Sequence, residues 1–406
     1  MARKNTLKTH VAIIGAGPSG LLLSQLLSRH GIDSIILECR SKEAVLGQVR
    51  AGLLEQGTVD LLREAGASAG LDKDGLIHEG VIISYNGHRH RIPLTELTGG
   101  KVVTVYGQQE LTRDLIQVRE QEGAALLFEA RATSITNPDG EAPSVQFTYQ
   151  GDEYIVECDF VAGCDGFHGV SRKAIPAEIT RIYDKKYPFG WLGIIAKVPP
   201  STDELIYSYH DNGFAMHSMR STEISRLYLQ VDVNDSIENW PDERIWQELH
   251  RRLASKDWQL KEGPILEKSI TLMRSFVVEP MQYRKLFLVG DAAHIVPPTG
   301  AKGLNSAAQD ARLLYEAFFA FYKQNDCSLL QNYSSQCLKR VWRTQDFSTF
   351  MTQLLHVAPY SDEFEKKLQK SRFDYLVSSS APALAFAENY VGMEAEKLID
   401  AAATEL

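Results

Sequence analysis

Cysteine is scarce in this chain: five residues in 406, at positions 39, 158, 164, 327 and 337. The odd count and the lack of any C-x-x-C spacing exclude a disulfide scaffold. They point to reduced thiols in a cytoplasmic protein. No run approaches the ~20 apolar residues that a membrane-spanning helix needs. A basic start (Arg3, Lys4, Lys8) precedes Val11-Ala-Ile-Ile14, but this apolar run is too short for a signal peptide and breaks into Gly-Ala-Gly-Pro. Positive charge is not in excess either. The net charge of −9 excludes a general nucleic-acid binder, although one buried Arg can still hold a small anion. Several catalytic signatures are missing. Lys302 is followed by Gly303, so no Walker-type phosphate loop exists. Gly17-Pro-Ser19-Gly20 lacks the second glycine of a nucleophile elbow. Neither His78-Glu79 nor Asp291-Ala-Ala-His294 completes a metal pattern.

What is present is an ordinary soluble composition, 44% apolar and 23% charged, in a chain long enough for two or three domains. Its most informative stretch is His10-Val-Ala-Ile-Ile-Gly-Ala-Gly-Pro-Ser-Gly20. A short apolar strand runs into glycines at 15, 17 and 20, and an apolar helix pattern follows. Gly15 permits the turn, Gly17 lets a pyrophosphate approach the backbone, and Gly20 lets helix and strand pack closely. Ser19 and its neighbours would offer free N–H groups at the helix start. Glu38 closes the next apolar run, where an acid that grips a ribose hydroxyl is expected.

Residues 11–38 are therefore predicted as strand, helix, strand. Leu53 to Ala65 has helical spacing. Val81 to Pro93 predicts a hairpin turning at Asn86-Gly87. Val102 to Tyr106 is a predicted strand and Gln109 to Gln121 a helix, and short strands continue to Asp165. From 181 to 275 the pattern is mainly strand, interrupted by a helix near Asp242 to Ala254, which suggests an antiparallel lobe. Phe287 to Asp291 reads as a strand returning to the first lobe. A long helix begins near Gly303, and the rest is helical.

Three acids end strands: Glu38, Asp165 in Gly163-Cys-Asp-Gly166, and Asp291 in Gly290-Asp-Ala-Ala-His294. Ligands bind beyond the carboxyl ends of strands in open α/β sheets. Each acid taken singly is as well explained as a helix N-cap. Pro297-Pro-Thr-Gly-Ala-Lys-Gly-Leu-Asn305 forms a second glycine-rich loop, suited to lie against a flat ligand at a helix start. The bland alternative is a tight helix-start loop.

With these motifs the sequence resembles the flavoprotein aromatic hydroxylases along nearly its whole length. The matching motifs are Gly15-Ala-Gly-Pro-Ser-Gly20, Cys164-Asp-Gly166 and Gly290-Asp291. Longer blocks also match: Arg50 to Gly57, Tyr187 to Gly193, Arg274 to Pro280, and His294 to Asn305. The resemblance implies an α/β fold. A Rossmann-like FAD-binding domain (1–180 and 276–350) would carry an inserted, mainly antiparallel β-sheet substrate domain (181–275) and a helical C-terminal region (351–406). It implies FAD as cofactor, NADPH or NADH as transient electron donor, and a homodimer. The implied reaction converts 4-hydroxybenzoate and O2 to 3,4-dihydroxybenzoate through a flavin C4a-hydroperoxide. Ser218, Arg220 and Tyr228 would hold the substrate carboxylate. Tyr207 and the Pro298 carbonyl would meet the phenol, and Tyr390 and His78 would relay its proton outward. Arg50, Gln108, Arg226, Lys302, Gly303, Leu304 and Asn305 would attend the flavin.

The chemistry of that array is general. A phenol attacks an electrophile faster as phenolate, so a proton must leave a group of pKa near that of Tyr, and hydroxyls ending in a His that titrates near neutrality can carry it. Taken one by one, Tyr207 and Tyr390 are equally core aromatics, His78 a core or surface His, Ser218 a strand residue, and Arg220 the partner of a structural acid. The rival functions are hydroxylation of a related hydroxybenzoate, a non-catalytic flavin-binding regulator, and a nicotinamide-only dehydrogenase. In NADPH-preferring members, positions equivalent to Cys39, Ala44 and Gln48 carry Arg, Tyr and Arg. Their loss here removes phosphate-pairing capacity, with Arg40, Lys42 and Arg50 as the nearest substitutes. No second G-x-G-x-x-G frame exists for the nicotinamide.

Overall fold

A computed structural model describes residues 5–392 apart from Val49, Ala51, Asn86 and Asp257. The hairpin tip at Asn86 and the last part of the expected C-terminal region, 393–406, lie outside the described residues. Asn5–Ile14 runs parallel between Asp152–Gly163 and Ser34–Leu37. Leu286–Leu288 adds a further parallel strand beyond Asp152–Gly163, in the lobe that the sequence assigned to it. Val11 to Ile14 and Ile35 to Leu37 are buried, as continuous apolar runs covered on both faces should be. Helices Pro18–Arg29, Gln108–Gln121 and Gly303–Phe319 supply that cover.

The segment Leu53 to Ala65 corrects the sequence reading. Leu53–Glu55 is a strand, and only Gln56–Glu64 is helical. Its backbone pairs with Val103–Val105 in a three-stranded sheet that also contains Leu76–His78, and this tertiary pairing overrides the helical spacing.

The second sheet has eight strands, antiparallel along Arg181–Ala196, Ser225–Asp232, Ala215–Met219 and Ile206–Tyr209. Its membership differs from a division at 181 and 275. The hairpin Gly80–Tyr85 and His88–Pro93 joins it, with Ile82 to Tyr85 parallel to Ile206 to Tyr209. That pairing covers an edge that would otherwise be open. Ile265–Glu279 and His294–Ile295 carry the other side past residue 275.

Alternation along these strands splits their side chains between two cores. One face presents Leu192, Ile194, Ile206, Leu227 and Leu229 to Ile245, Leu249 and Leu253 of helix Asp242–Leu253. The other presents Trp191, Tyr207, Met216 and Tyr228 to Phe386 and Tyr390 of helix Ser380–Val391. The expected boundary at 350 falls inside the helix Ser328–Leu355. Among the described residues no helix is long and apolar enough to cross a membrane.

Candidate active site

Tyr207, Met216, Tyr228 and Gly193 stand directly opposite one another on four neighbouring strands. Ser218 lies two residues on from Met216 and opposite Arg226, so it shares their face. Gly193 leaves room for the Tyr228 ring: a Cβ there would come within 3.2 Å of Tyr228 Cε1. Trp191 tilts against Tyr228 with ring centroids 4.7 Å apart. Its Nε1–H donates to His356 Nε2 at 2.6 Å, which puts the imidazole proton on Nδ1, 3.0 Å from the Thr352 carbonyl. Burial pushes the His356 pKa down to about 3, so this clamp is neutral.

Helix Ser380–Val391 lowers Tyr390 onto that face, and the Tyr390 and Tyr207 hydroxyls are 3.1 Å apart and buried. Burial lifts the Tyr207 pKa to about 12, against the lowering effect of the Tyr390 hydrogen bond. It holds Tyr390 well above the ordinary phenol range. Both therefore remain hydroxyls at neutral pH. His78 is fully buried at the end of Leu76–His78, and neither ring nitrogen has a hydrogen-bond partner among the described residues. Desolvation drops its pKa to about 4, against the pull of Glu204 and Asp203. The expectation of a His titrating near neutrality is corrected: burial keeps this ring neutral.

Three expected ligand contacts are already engaged within the protein. Arg220 donates from Nη2 to Glu110 (3.0 and 3.2 Å) and to Gln109 Oε1 (3.0 Å), the structural-acid pairing left open by the sequence. Lys302 is buried, donating to Glu55 Oε1 at 2.5 Å and to the Tyr390 carbonyl at 2.9 Å, so Glu55 offsets its charge. Asn305 spends its whole side-chain amide on scaffold contacts: Oδ1 accepts from Glu55 N and Thr58 Oγ1, and Nδ2 donates to the carbonyls of Leu53 and Ala301. Among the described residues the Ser218 hydroxyl reaches nothing better than the Met219 carbonyl at 3.4 Å. The Pro298 carbonyl accepts from Ala301 N at 2.9 Å and keeps a second lone pair. Glu55, Glu110 and Gln109 escaped the sequence reading. Glu55 lies within the Arg50 to Gly57 block, and Gln109 and Glu110 directly follow Gln108, so proximity to matched motifs was the available signal.

The cofactor frame fits a dinucleotide. Gly15, at φ +106°, could not carry a side chain, because a Cβ would lie 2.3 Å from the Cys164 carbonyl oxygen. At Gly20 a Cβ would lie 2.1 Å from the Gly15 oxygen, whereas at Gly17 nothing comes within 4 Å. That open side is where phosphate can approach. Helix Pro18–Arg29 has no side-chain cap, and its first intrahelical bond is Leu21 N to Gly17 O, which leaves the N–H groups of Ser19 and Gly20 free of helix partners. Glu38 Oε2 accepts from Ala16 N at 2.8 Å, and Oε1 from Arg40 N and Nε. Burial alone would raise the Glu38 pKa, but these donors outweigh it and hold it low. The carboxylate thus stays charged, with a lone pair on Oε2 for a hydroxyl.

Asp165 turns one oxygen inward to Ser171 N and Oγ, both 2.9 Å away, while buried Oδ1 has no partner among the described residues. Asp291 faces outward with Arg50, 3.6 Å apart. Gly290 N donates to buried Asp310, which His294 and Arg340 also hold. Burial would raise the Asp310 pKa, but the interactions with His294, Arg340 and the Gly290 N–H outweigh it and keep it low. Helix Gly303–Phe319 opens without a side-chain cap, and Ser306 N to Lys302 O is its first bond, so Gly303, Leu304 and Asn305 turn their N–H groups to the loop. Gln108 opens its helix after Gly107. The guanidinium of Arg226, whose Nε has no hydrogen-bond partner among the described residues, lies 5.3 Å from the Tyr228 ring centroid.

Fold and site together define an FAD-binding flavoprotein of the aromatic hydroxylase class. The chain belongs to that family: residues 8–348 match the family described as FAD binding domain. Among its relatives is p-hydroxybenzoate hydroxylase of Acinetobacter baylyi, 50% identical over 392 residues, which are 96% of this chain and 97% of that protein. The crystal structure of p-nitrophenol 4-monooxygenase from Pseudomonas putida superposes with a TM-score of 0.82 at 18% identity, covering 96% of this chain and 100% of the other. The ternary complex of aklavinone-11 hydroxylase with FAD and aklavinone gives 0.71 at 19%, over 88% and 70%. At those identities the two structures attest the fold.

The three glycines separate structural from ligand roles. Gly20→Ala should destabilise the apo-protein by about 1–3 kcal/mol through the clash with the Gly15 carbonyl. Gly17→Ala should cost no more than about 1 kcal/mol, as a poorer N-cap, yet weaken FAD binding by filling the open side. Thermal unfolding of apo-protein and FAD titration by flavin fluorescence check both. An unchanged FAD affinity in Gly17→Ala contradicts the assignment.

Proposed function

We propose that this chain is an FAD-dependent monooxygenase that hydroxylates 4-hydroxybenzoate to 3,4-dihydroxybenzoate, using O2 and a reduced nicotinamide. One observation carries the reading: a sequence half identical to p-hydroxybenzoate hydroxylase encloses the buried hydroxyl pair Tyr207–Tyr390 at 3.1 Å. Bound FAD supplies oxygen activation and accepts the nicotinamide's electrons. Gly17, Ser19, Glu38 and the 303–305 backbone would hold it, with Arg50, Gln108, Asp165, Arg226 and Asp291 around it.

The protein's own work is orientation and proton transfer. Arg220 and Ser218 bind the substrate carboxylate, with Tyr228 beside them. The phenol at the opposite end donates to Tyr207 Oη, helped by the Pro298 carbonyl. As the ring reacts, its proton passes to Tyr207 Oη while the Tyr207 proton moves to Tyr390 Oη and on toward His78. The dry aromatic walls, Trp191, Phe214 and Tyr228, keep water from competing.

The nicotinamide preference follows from charges that are already spent. Arg40 is bound to Glu38, and Lys42 to Glu120 at 2.6 and 2.8 Å. Neither is free to replace guanidiniums missing at Cys39 and Gln48, and Arg50 stands 3.6 Å from Asp291, so a 2′-phosphate gains little here. The chain assembles as a homodimer in this reading. Phe364, Leu368 and Tyr375 form one exposed stripe on helix Glu363–Ser378. Five unpaired thiols suit the reducing cytoplasm.

Three measurements test these statements. Tyr207→Phe should keep near-normal flavin reduction by nicotinamide with 4-hydroxybenzoate present, while product per nicotinamide falls at least about tenfold; wild-type yield counts against the relay. NADH should equal or exceed NADPH in kcat/KM, and a bias above about a hundredfold toward NADPH overturns the charge argument. Light scattering should give the mass of a dimer, and Phe364→Glu with Leu368→Glu should shift it to monomer; a wild-type monomer refutes the assembly.

A further inference from the structure

Arg220 stands just beyond strand Ala215–Met219, and its guanidinium already holds a carboxylate. Glu110, the third residue of helix Gln108–Gln121, gives it both oxygens at 3.0 and 3.2 Å. The same carboxylate curls back over Gly107, where a Cβ would lie 2.0 Å from Glu110 Oε2 and 3.4 Å from Arg220 Nη1. Glu110 is thus held from two sides, by a guanidinium and by the positive end of its own helix. Gln109 Oε1 completes the cradle at 3.0 Å from Arg220 Nη2.

We propose that Glu110 is a built-in competitor for the substrate's carboxylate and thereby a determinant of specificity. The inference rests on the assignment of Arg220 to the substrate acid group. Without ligand, Glu110 satisfies a guanidinium that is only 13% exposed in its side chain. An entering aromatic carboxylate takes Arg220, and Glu110 falls back on the N-terminus of its helix. Only an anion that out-competes Glu110 completes this exchange. A phenol without an acid group cannot, so it binds with the pair intact. The apparent affinity for the acid is reduced by the fraction of protein in which Arg220 is engaged. Glu110 shares the first turn of its helix with Gln108, so the exchange also acts where the flavin is expected.

Two substitutions release the pair differently. Glu110→Gln removes the competing charge, and Gly107→Ala keeps both charges but drives the flexible carboxylate off its seat. In FAD-loaded protein, titrated with 4-hydroxybenzoate or with phenol and followed by flavin fluorescence, each should bind 4-hydroxybenzoate about three- to tenfold more tightly, with phenol affinity unchanged. Unchanged or weaker binding of the acid in the FAD-retaining variants overturns the proposal, as does equal tightening for phenol, which would mean a looser pocket. If wild-type protein binds phenol but not 4-hydroxybenzoate, the assignment of Arg220 itself fails and the gate falls with it.

Discussion

The site depends on strand register. Side chains alternate strictly along a strand, so a slip of one residue would carry Tyr207, Ser218 and Tyr228 to the opposite face of their sheet. Packing on both faces fixes that register. At the back of the sheet Ile194, Ile206, Leu227 and Leu229 pack on the helix Asp242–Leu253, and at the front Trp191, Tyr207, Met216 and Tyr228 pack on Phe386 and Tyr390. An apolar core that touches no ligand thus helps decide which hydroxyls face Tyr390. Gly193 belongs to the same constraint: a side chain there would crowd the Tyr228 ring on its neighbouring strand and force it to shift.

Enclosure then sets the electrostatics. The walls that bury Tyr207 and Tyr390 raise both phenols, and the walls that bury His78 lower its imidazole. All three groups rest in their neutral forms. Such a chain does not store a proton or a charge. It can pass a proton only when an ionising substrate drives the transfer, because a lone charge in this low-dielectric space would be costly. In the proposed relay a His titrating near neutrality would be a reservoir, whereas a neutral buried ring would serve only as a conduit. The neutral His356 clamp follows the same logic on the far wall, fixing Trp191 without adding a charge.

The sequence made local features legible and left long-range ones obscure. The fingerprint at 15–20, the acid at 38 and the strands from 181 onward carry their signal within a few residues, and they lie where the pattern placed them. Leu53–Glu55 was misread as helix because its strand character comes from Val103–Val105, some fifty residues away. The hairpin at 80–93 was legible as a hairpin, but its partner strand at 206–209 was not. Residue type and local context point to candidate side chains but say nothing of what already holds them. Asn305 is the clearest example, since three distant groups and the Ala301 carbonyl consume its amide.

Those partners follow one rule. Arg40 has Glu38, Lys302 has Glu55, Arg220 has Glu110, and Arg50 has Asp291. Four of the cations marked out for a ligand thus have a carboxylate of the chain on them. With 52 acidic and 43 basic residues, counter-anions are plentiful. A guanidinium or ammonium withdrawn from water must keep an anion before the ligand arrives. Binding an anionic ligand at such a site is therefore an exchange of one carboxylate for another, and its free energy is the difference between two similar ion pairs. Affinity gained from charge alone is then small. Discrimination becomes sharp, because a ligand must match the geometry of the displaced acid as well as its charge.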